Sequence, residues 1–284
     1  DGIRDDLVTG VQTCALPIFE GFTRLPAMAS IGALFEEDQD EALSLAKAVG
    51  EILAIELGEA GIDFSFTPVI DLASRNKAIG SRAFHADPAI VRKFAKALAS
   101  GLSLHGMRAV AKHFPGHSGV VEDPHFDLPV DSRGLAELRE RDMSAYENLE
   151  SGHIDGVMTC HVIFPEVDEV PATFSKLLIE GELRQRLNFG GMIVSDDVMM
   201  GALSRYGAPR DRIIASREAG CDLVLLCNDD AAADTVLSAQ RLPALSDLSE
   251  RRLEKMRYVG YGDASVSSKL TSQKERLAAL VAGA

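Results

Sequence analysis

The sequence predicts an α/β chain built as a (β/α)8 TIM-type barrel, here with only part of the barrel present. Three observations carry that expectation. Five short apolar segments are each followed by a helical segment. Some are nearly unbroken apolar runs, such as DLVLLC at Asp222–Cys227, which suit strands buried on both faces of a parallel sheet. Polar residues also bunch just after each C-terminal strand end: Asp71/Arg82, Lys112/His113, His161, Asp196/Asp197 and Asn228. Functional groups at the C-terminal ends of successive parallel strands favour a barrel over an open dinucleotide-binding sheet. No GxGxxG follows any of these strands.

Taken in order, Glu36–Ala60 reads as an amphipathic helix with Ala42, Leu45, Ala46, Val49, Ile52 and Leu53 on one face, an acidic first turn, and Gly61 at its end. Ile62–Ile70 follows as a strand closing on Asp71, then a loop to Phe84 carrying Arg75 and Arg82. Asp87 and Pro88 open a helix as N-cap and first-turn proline, and Gly106 stops it. Met107–His113 is the next strand. Ser132 is expected to cap a helix to about Glu150, ahead of a strand at Gly156–His161. Ser175 caps a helix to about Leu187, ahead of a strand at Gly191–Ser195. Pro209–Ala219 is helical and Asp222–Cys227 a strand; after Asn228 only helices follow, near 229–241, 247–258 and 267–282.

Composition narrows the function. The 284 residues carry a net charge of −14 with dispersed basic residues, which disfavours a nucleic-acid surface. No apolar run reaches the length of a membrane span. The four cysteines form no CxxC pair, and Cys160, Cys221 and Cys227 lie in or beside strands, as reduced core thiols of a cytosolic protein would. Residues 1–18 fit neither helix nor strand periodicity nor a secretory signal. VTGVQTCALPI at Val8–Ile18 resembles a translated sequencing adapter. The expected organisation is therefore a non-native leader over 1–18 and a partial barrel with C-terminal helices over 19–284.

The chemistry concentrates in AVAKHFPGHSGVVEDPHFDLP, Ala109–Pro129, where three of the seven histidines fall within thirteen residues. Pro115 and Gly116 prevent His113 and His117 from acting as i,i+4 metal ligands on a helix, and no zinc-type spacing occurs, so no metal or other cofactor is expected. Asp123 and His125, separated by Pro124, suit an acid/base pair in which the carboxylate holds the imidazole in one tautomer. The alternative is a solvated loop histidine near an incidental aspartate. Asp196, ending a buried strand, is placed to attack an electrophile or bind metal. Asp197 suits a helix N-cap. Lys112, His113 and Arg82 suit contacts to a polar substrate.

At these residues the sequence becomes specific. KHFPGH at Lys112–His117, Asp123-x-His125 and Ser195-Asp196-Asp197 together resemble the signature of the β-N-acetylhexosaminidases of glycoside hydrolase family 3, in register from about Gly21 to Asn228. The resemblance implies Asp196 as nucleophile, His125 as acid/base, Asp123 as its tuning partner, and Arg82, Lys112 and His113 as sugar-binding positions. It implies a retaining double displacement in the bacterial cytoplasm, releasing N-acetylglucosamine from its β-link to anhydro-N-acetylmuramic acid during peptidoglycan recycling. The partner is thus a small saccharide bearing or lacking peptide, with no nucleic acid or membrane. A non-catalytic sugar-binding relative and a metal-dependent hydrolase on the same barrel are the alternatives.

Several positions depart from the family. Pro124 stands where a small or hydroxylated residue is usual, and Ser118 where glycine is usual. About three strand–helix steps expected before GFTRLP, including a DQEGGR-like segment that binds sugar, are missing. An opened barrel should leave an apolar edge and inner face bare, and little or no activity is expected of the chain.

Overall fold

The computed structural model describes residues 21–121, 128–149, 153–238, 242, 244–259 and 268–282. The leader over 1–18 and the segment carrying Asp123, Pro124 and His125 lie outside the described residues. Helices α1 (Met28–Ala33) and α2 (Gln39–Glu59) come first, with the Asp38 carboxylate accepting from the Glu41 amide at the start of α2. Strand β1 (Phe64–Ser65), helix α3 (Pro88–Leu104) and strand β2 (Arg108–Phe114) follow. Next come α4 (Leu135–Glu140), β3 (Ile154–Thr159), the hairpin β4 (Ile163–Phe164) and β5 (Asp168–Pro171), and a π-helical segment, Leu177–Arg186. Strand β6 (Met192–Asp197), α5 (Pro209–Ala219), β7 (Leu223–Leu225), α6 (Asp230–Ser238), α7 (Asp247–Glu254) and α8 (Ser268–Ala282) complete the order.

Five strands pair in parallel in the order β1-β2-β3-β6-β7. Neighbours in the sheet are thus successive in the chain, as in an arc of a (β/α) barrel. The two-residue side-chain period of the strands divides the core in two. Ala109, Ala111, Val157 and Ile193 join the large cluster against the helices. Val110, Met158, Met192 and Val194 face the other way and pack with Met256 and Leu253 at the end of α7. The inner face expected to lie bare is therefore covered at these four residues, each at most 3% exposed.

Three elements depart from expectation. Strand β1 pairs over only two residues, but Val110 and Lys112 amides still bond to the Thr67 and Pro68 carbonyls, extending the contact past the proline. The helix expected from Ser132 to Glu150 is instead α4 followed by a 3-10 segment, Asp142–Tyr146, with Gly134 at the N-cap position. It breaks at Arg141 (φ −102°, ψ −91°), and Asp142 turns inward to charged and hydroxyl partners described below. The hairpin β4–β5 was not expected, because its strands are too short for a period to register. Ser175 does cap the next segment, accepting from the Leu178 amide at 3.1 Å.

Helices α2 and α3 cross where both carry glycine. A Cβ on Gly50 would lie 2.1 Å from the Leu98 carbonyl oxygen, and one on Gly101 2.1 Å from that of Lys47. Alanine would gain about 1 kcal/mol in helix propensity, but the backbones must separate to admit it. Gly50→Ala is expected to lower stability by about 1–3 kcal/mol, read as a lower urea midpoint at unchanged slope.

Candidate active site

The site gathers at the C-terminal ends of the strands, where Asp71 is its fixed point. This carboxylate is buried to 1% exposure. Its Oδ2 accepts from the His113 amide at 3.1 Å and from His113 Nδ1–H at 2.7 Å, while Oδ1 accepts from the His117 amide at 3.1 Å. His113 can meet it because the β2–β3 register slips between Lys112 and Phe114, leaving His113 as an extra residue aimed away from the ladder. The Lys112–His113 and Phe114–Pro115 peptides are cis.

A second brace comes from Asn76, also buried. Its amide donates to the His117 and Val120 carbonyls at 3.4 and 3.1 Å and its oxygen accepts from the Ile79 amide at 2.8 Å. The two loops after β1 and β2 are thereby locked together. Arg82, half-buried, donates through Nε and Nη2 to the Ala78 carbonyl at 3.0 and 2.5 Å. Its charge acts on Asp71 and His117.

The charge states follow from burial and neighbours. Burial works against the Asp71 carboxylate, but His113, His117 and Arg82 outweigh it and hold its pKa below the usual value. Burial lowers the pKa of His113 despite the adjacent Asp71. At neutral pH the pair is therefore carboxylate and neutral imidazole, with the proton on Nδ1 and an acceptor lone pair on Nε2. Burial also pushes His117 down to about 4 and lowers His161.

Asp196 is the last but one residue of β6, half-buried. Burial opposes its charge, and His113, His161, the Asp197 amide (2.8 Å to Oδ1) and Lys112 outweigh that opposition, so its pKa is lowered. Lys112 is itself 8% exposed. Asp197 is not a helix cap. Its Oδ1 accepts from the Met199 and Cys227 amides at 2.9 and 3.0 Å, and its carbonyl accepts from His161 Nε2–H at 2.9 Å. It clamps the ends of β6 and β7 while the neighbouring Asp196 stays available.

Of the residues singled out in the sequence, Asp196, Lys112 and His113 therefore meet around one carboxylate, and Arg82 stands by Asp71. Asp123 and His125 lie outside the described residues. Sequence reasoning missed Asn76 and the bracing role of Asp71, although it did place Asp71 at a strand's end. Among the described residues no group of three or more His, Cys, Asp or Glu side chains is arranged to hold a metal ion. Cys160, Cys221 and Cys227 are free thiols, and burial pushes Cys221 up to about 12 and Cys227 up to about 11.

The family model described as the glycosyl hydrolase family 3 N terminal domain matches residues 4–256. The chain belongs to glycosyl hydrolase family 3. The Beta-hexosaminidase of Hydrogenovibrio crunogenus is 46% identical over 220 residues, covering 77% of this chain and 62% of the relative. That of Chromobacterium violaceum is 44% identical over 238 residues, covering 84% and 66%. The chain thus spans somewhat under two thirds of the length of these family 3 relatives. The crystal structure of NagZ from Neisseria gonorrhoeae in complex with N-trifluoroacetyl-D-glucosamine superposes with a TM-score of 0.84 at 38% identity, covering 92% of this chain and 77% of that one. A family 3 β-N-acetylglucosaminidase from Paenibacillus gives 0.76 at 27% identity, covering 93% and 53%.

The buried histidines make a testable mark on stability. His117 takes up a proton near pH 6.5 when unfolded but only near 4 when folded. Between those values the unfolded state binds more protons, so stability falls as pH falls through the window, by up to about 3 kcal/mol for this residue. His113 and His161, also lowered, act in the same direction. Urea midpoints are expected to drop from pH 6.5 towards 4, with a shallower pH slope in His117→Gln.

Proposed function

We propose that this site hydrolyses β-N-acetylglucosaminides with retention, through an Asp196 nucleophile and a His125 acid/base. The observation that carries the reading is Asp196, held ionised at the C-terminal end of β6. A retaining mechanism needs a carboxylate there that attacks the anomeric carbon while the leaving oxygen is protonated from the other side. Lys112, His113 and His161 favour the anion against the cost of its burial.

In the first step Asp196 bonds to the anomeric carbon as His125 gives its proton to the departing oxygen. In the second, His125 takes a proton from water, whose oxygen displaces Asp196 and restores the free carboxylate. Asp123 supports the imidazolium that donates in the first step and is re-formed in the second. Neutral His113, its Nδ1–H committed to Asp71, has Nε2 left to accept from a sugar hydroxyl, and Lys112 and Arg82 donate to others. On the resemblance of its sequence signature to the family 3 β-N-acetylhexosaminidases, the proposed substrate is N-acetylglucosamine linked to anhydro-N-acetylmuramic acid, with or without peptide, in cytoplasmic peptidoglycan recycling. Among the described residues no helix is long and apolar enough to cross a membrane.

Purified chain should release aryl alcohol from an aryl β-N-acetylglucosaminide slowly, and Asp196→Ala should abolish at least about 1,000-fold of that rate. Release undiminished in Asp196→Ala, or none at saturating substrate from a chain with a family-like N-terminal part restored, contradicts the reading.

A further inference from the structure

The chain leaves β2 through Gly116 and Ser118 and returns beside the hairpin at Val130 and Asp131, where the Asp131 amide donates to the Ile163 carbonyl at 2.8 Å. The segment 122–127, with Asp123 and His125, runs between those two points. One charge cluster grips both. Asp142, 2% exposed, accepts at Oδ1 from the Ser118 amide (3.0 Å) and at Oδ2 from the Ser118 hydroxyl (2.7 Å). The same Oδ2 accepts from Arg133 Nη1 at 2.7 Å, and that nitrogen also reaches the Ser118 hydroxyl oxygen at 3.2 Å. From its other edge Arg133 donates to buried Asp131, through Nε at 3.0 Å and Nη2 at 2.6 Å.

The backbone is shaped to this cluster. A Cβ on Gly116 (φ +135°) would lie 2.5 Å from Asp142 Oδ1, and one on Gly119 2.2 Å from Asp131 Oδ2. One guanidinium thus joins the outgoing limb, the returning limb and the broken end of α4. The Ser118 hydroxyl ties the outgoing limb to both Asp142 and Arg133, at the position where the sequence carries serine in place of the usual glycine.

We propose that Ser118, Asp142 and Arg133 form a clasp that sets where the two ends of the loop bearing His125 begin, making all three positioning residues for the acid/base. The clasp stands on these contacts alone; its effect on turnover rests on the hydrolase reading above. Charge-assisted hydrogen bonds of this kind are the strong ones, and here both limbs depend on the same guanidinium.

Hydrogen exchange on the full chain, read by mass spectrometry, tests it. Ser118→Ala removes the hydroxyl without adding backbone freedom and should speed exchange in peptides spanning 116–133 about tenfold, with β3 and β6 unchanged. Arg133→Met should speed the same peptides more. In aryl β-N-acetylglucosaminide hydrolysis, Ser118→Ala should lower kcat several-fold at unchanged KM. Unaltered exchange over 116–133 in both variants, equal acceleration throughout the chain, or local acceleration with unchanged kcat would each overturn the proposal. Absence of turnover in the parent would bear on the hydrolase reading alone, leaving the exchange result to decide the clasp.

Discussion

Everything at the mouth of this sheet depends on one buried carboxylate. Asp71 stands after the first strand but spends its hydrogen-bonding capacity on the second, taking two donors from His113 and one from His117. An ionised carboxylate this deep is tolerable only because those donors and the nearby charge of Arg82 replace its hydration. The return is geometric. His113 is held in one tautomer and orientation, the turn through Pro115 and Gly116 is tied to the loop before it, and Asp196 gains a neighbour whose state is fixed. Losing Asp71 would leave three donors buried without a partner, so its effect would reach far beyond a single contact.

The site is also economical in how it separates roles. Adjacent aspartates at the end of β6 do different work: Asp197 spends its oxygens on the Met199, Cys227 and His161 donors, while Asp196 is kept charged and partly open. Asp142 and Asp131 are consumed in the same way by Arg133 and Ser118. Structural carboxylates here are satisfied by several donors, whereas Asp196, the proposed nucleophile, accepts from the Asp197 amide.

Much of the fold was readable because its signals are local. The Asp87–Pro88 start of α3 appears where the cap and first-turn proline place it, and the Asp87 carboxylate accepts from the Ala89 amide at 2.7 Å. Strands β2, β3 and β6 announced themselves through apolar runs that the sheet buries on both faces. The helix broken at Arg141 was not readable, because the reason is the bond of Asp142 to Ser118, twenty-four residues away. The covered inner face was missed for a similar reason: Met256 and Leu253 reach it from a helix whose destination no local pattern states. At the site, Asp196, Lys112 and His113 could be picked out by type and by position at strand ends. Asn76 and the bracing role of Asp71 could not, since their partners are mostly backbone amides and carbonyls of another loop.

The most direct test of the account is the protonation state of His113, read from the 15N and 1H shifts of its imidazole in the labelled chain. Burial predicts a neutral ring at pH 7, and the Asp71 brace a proton on Nδ1, a tautomer preference lost in Asp71→Asn. A proton on Nε2, or a doubly protonated ring at pH 7, would contradict it.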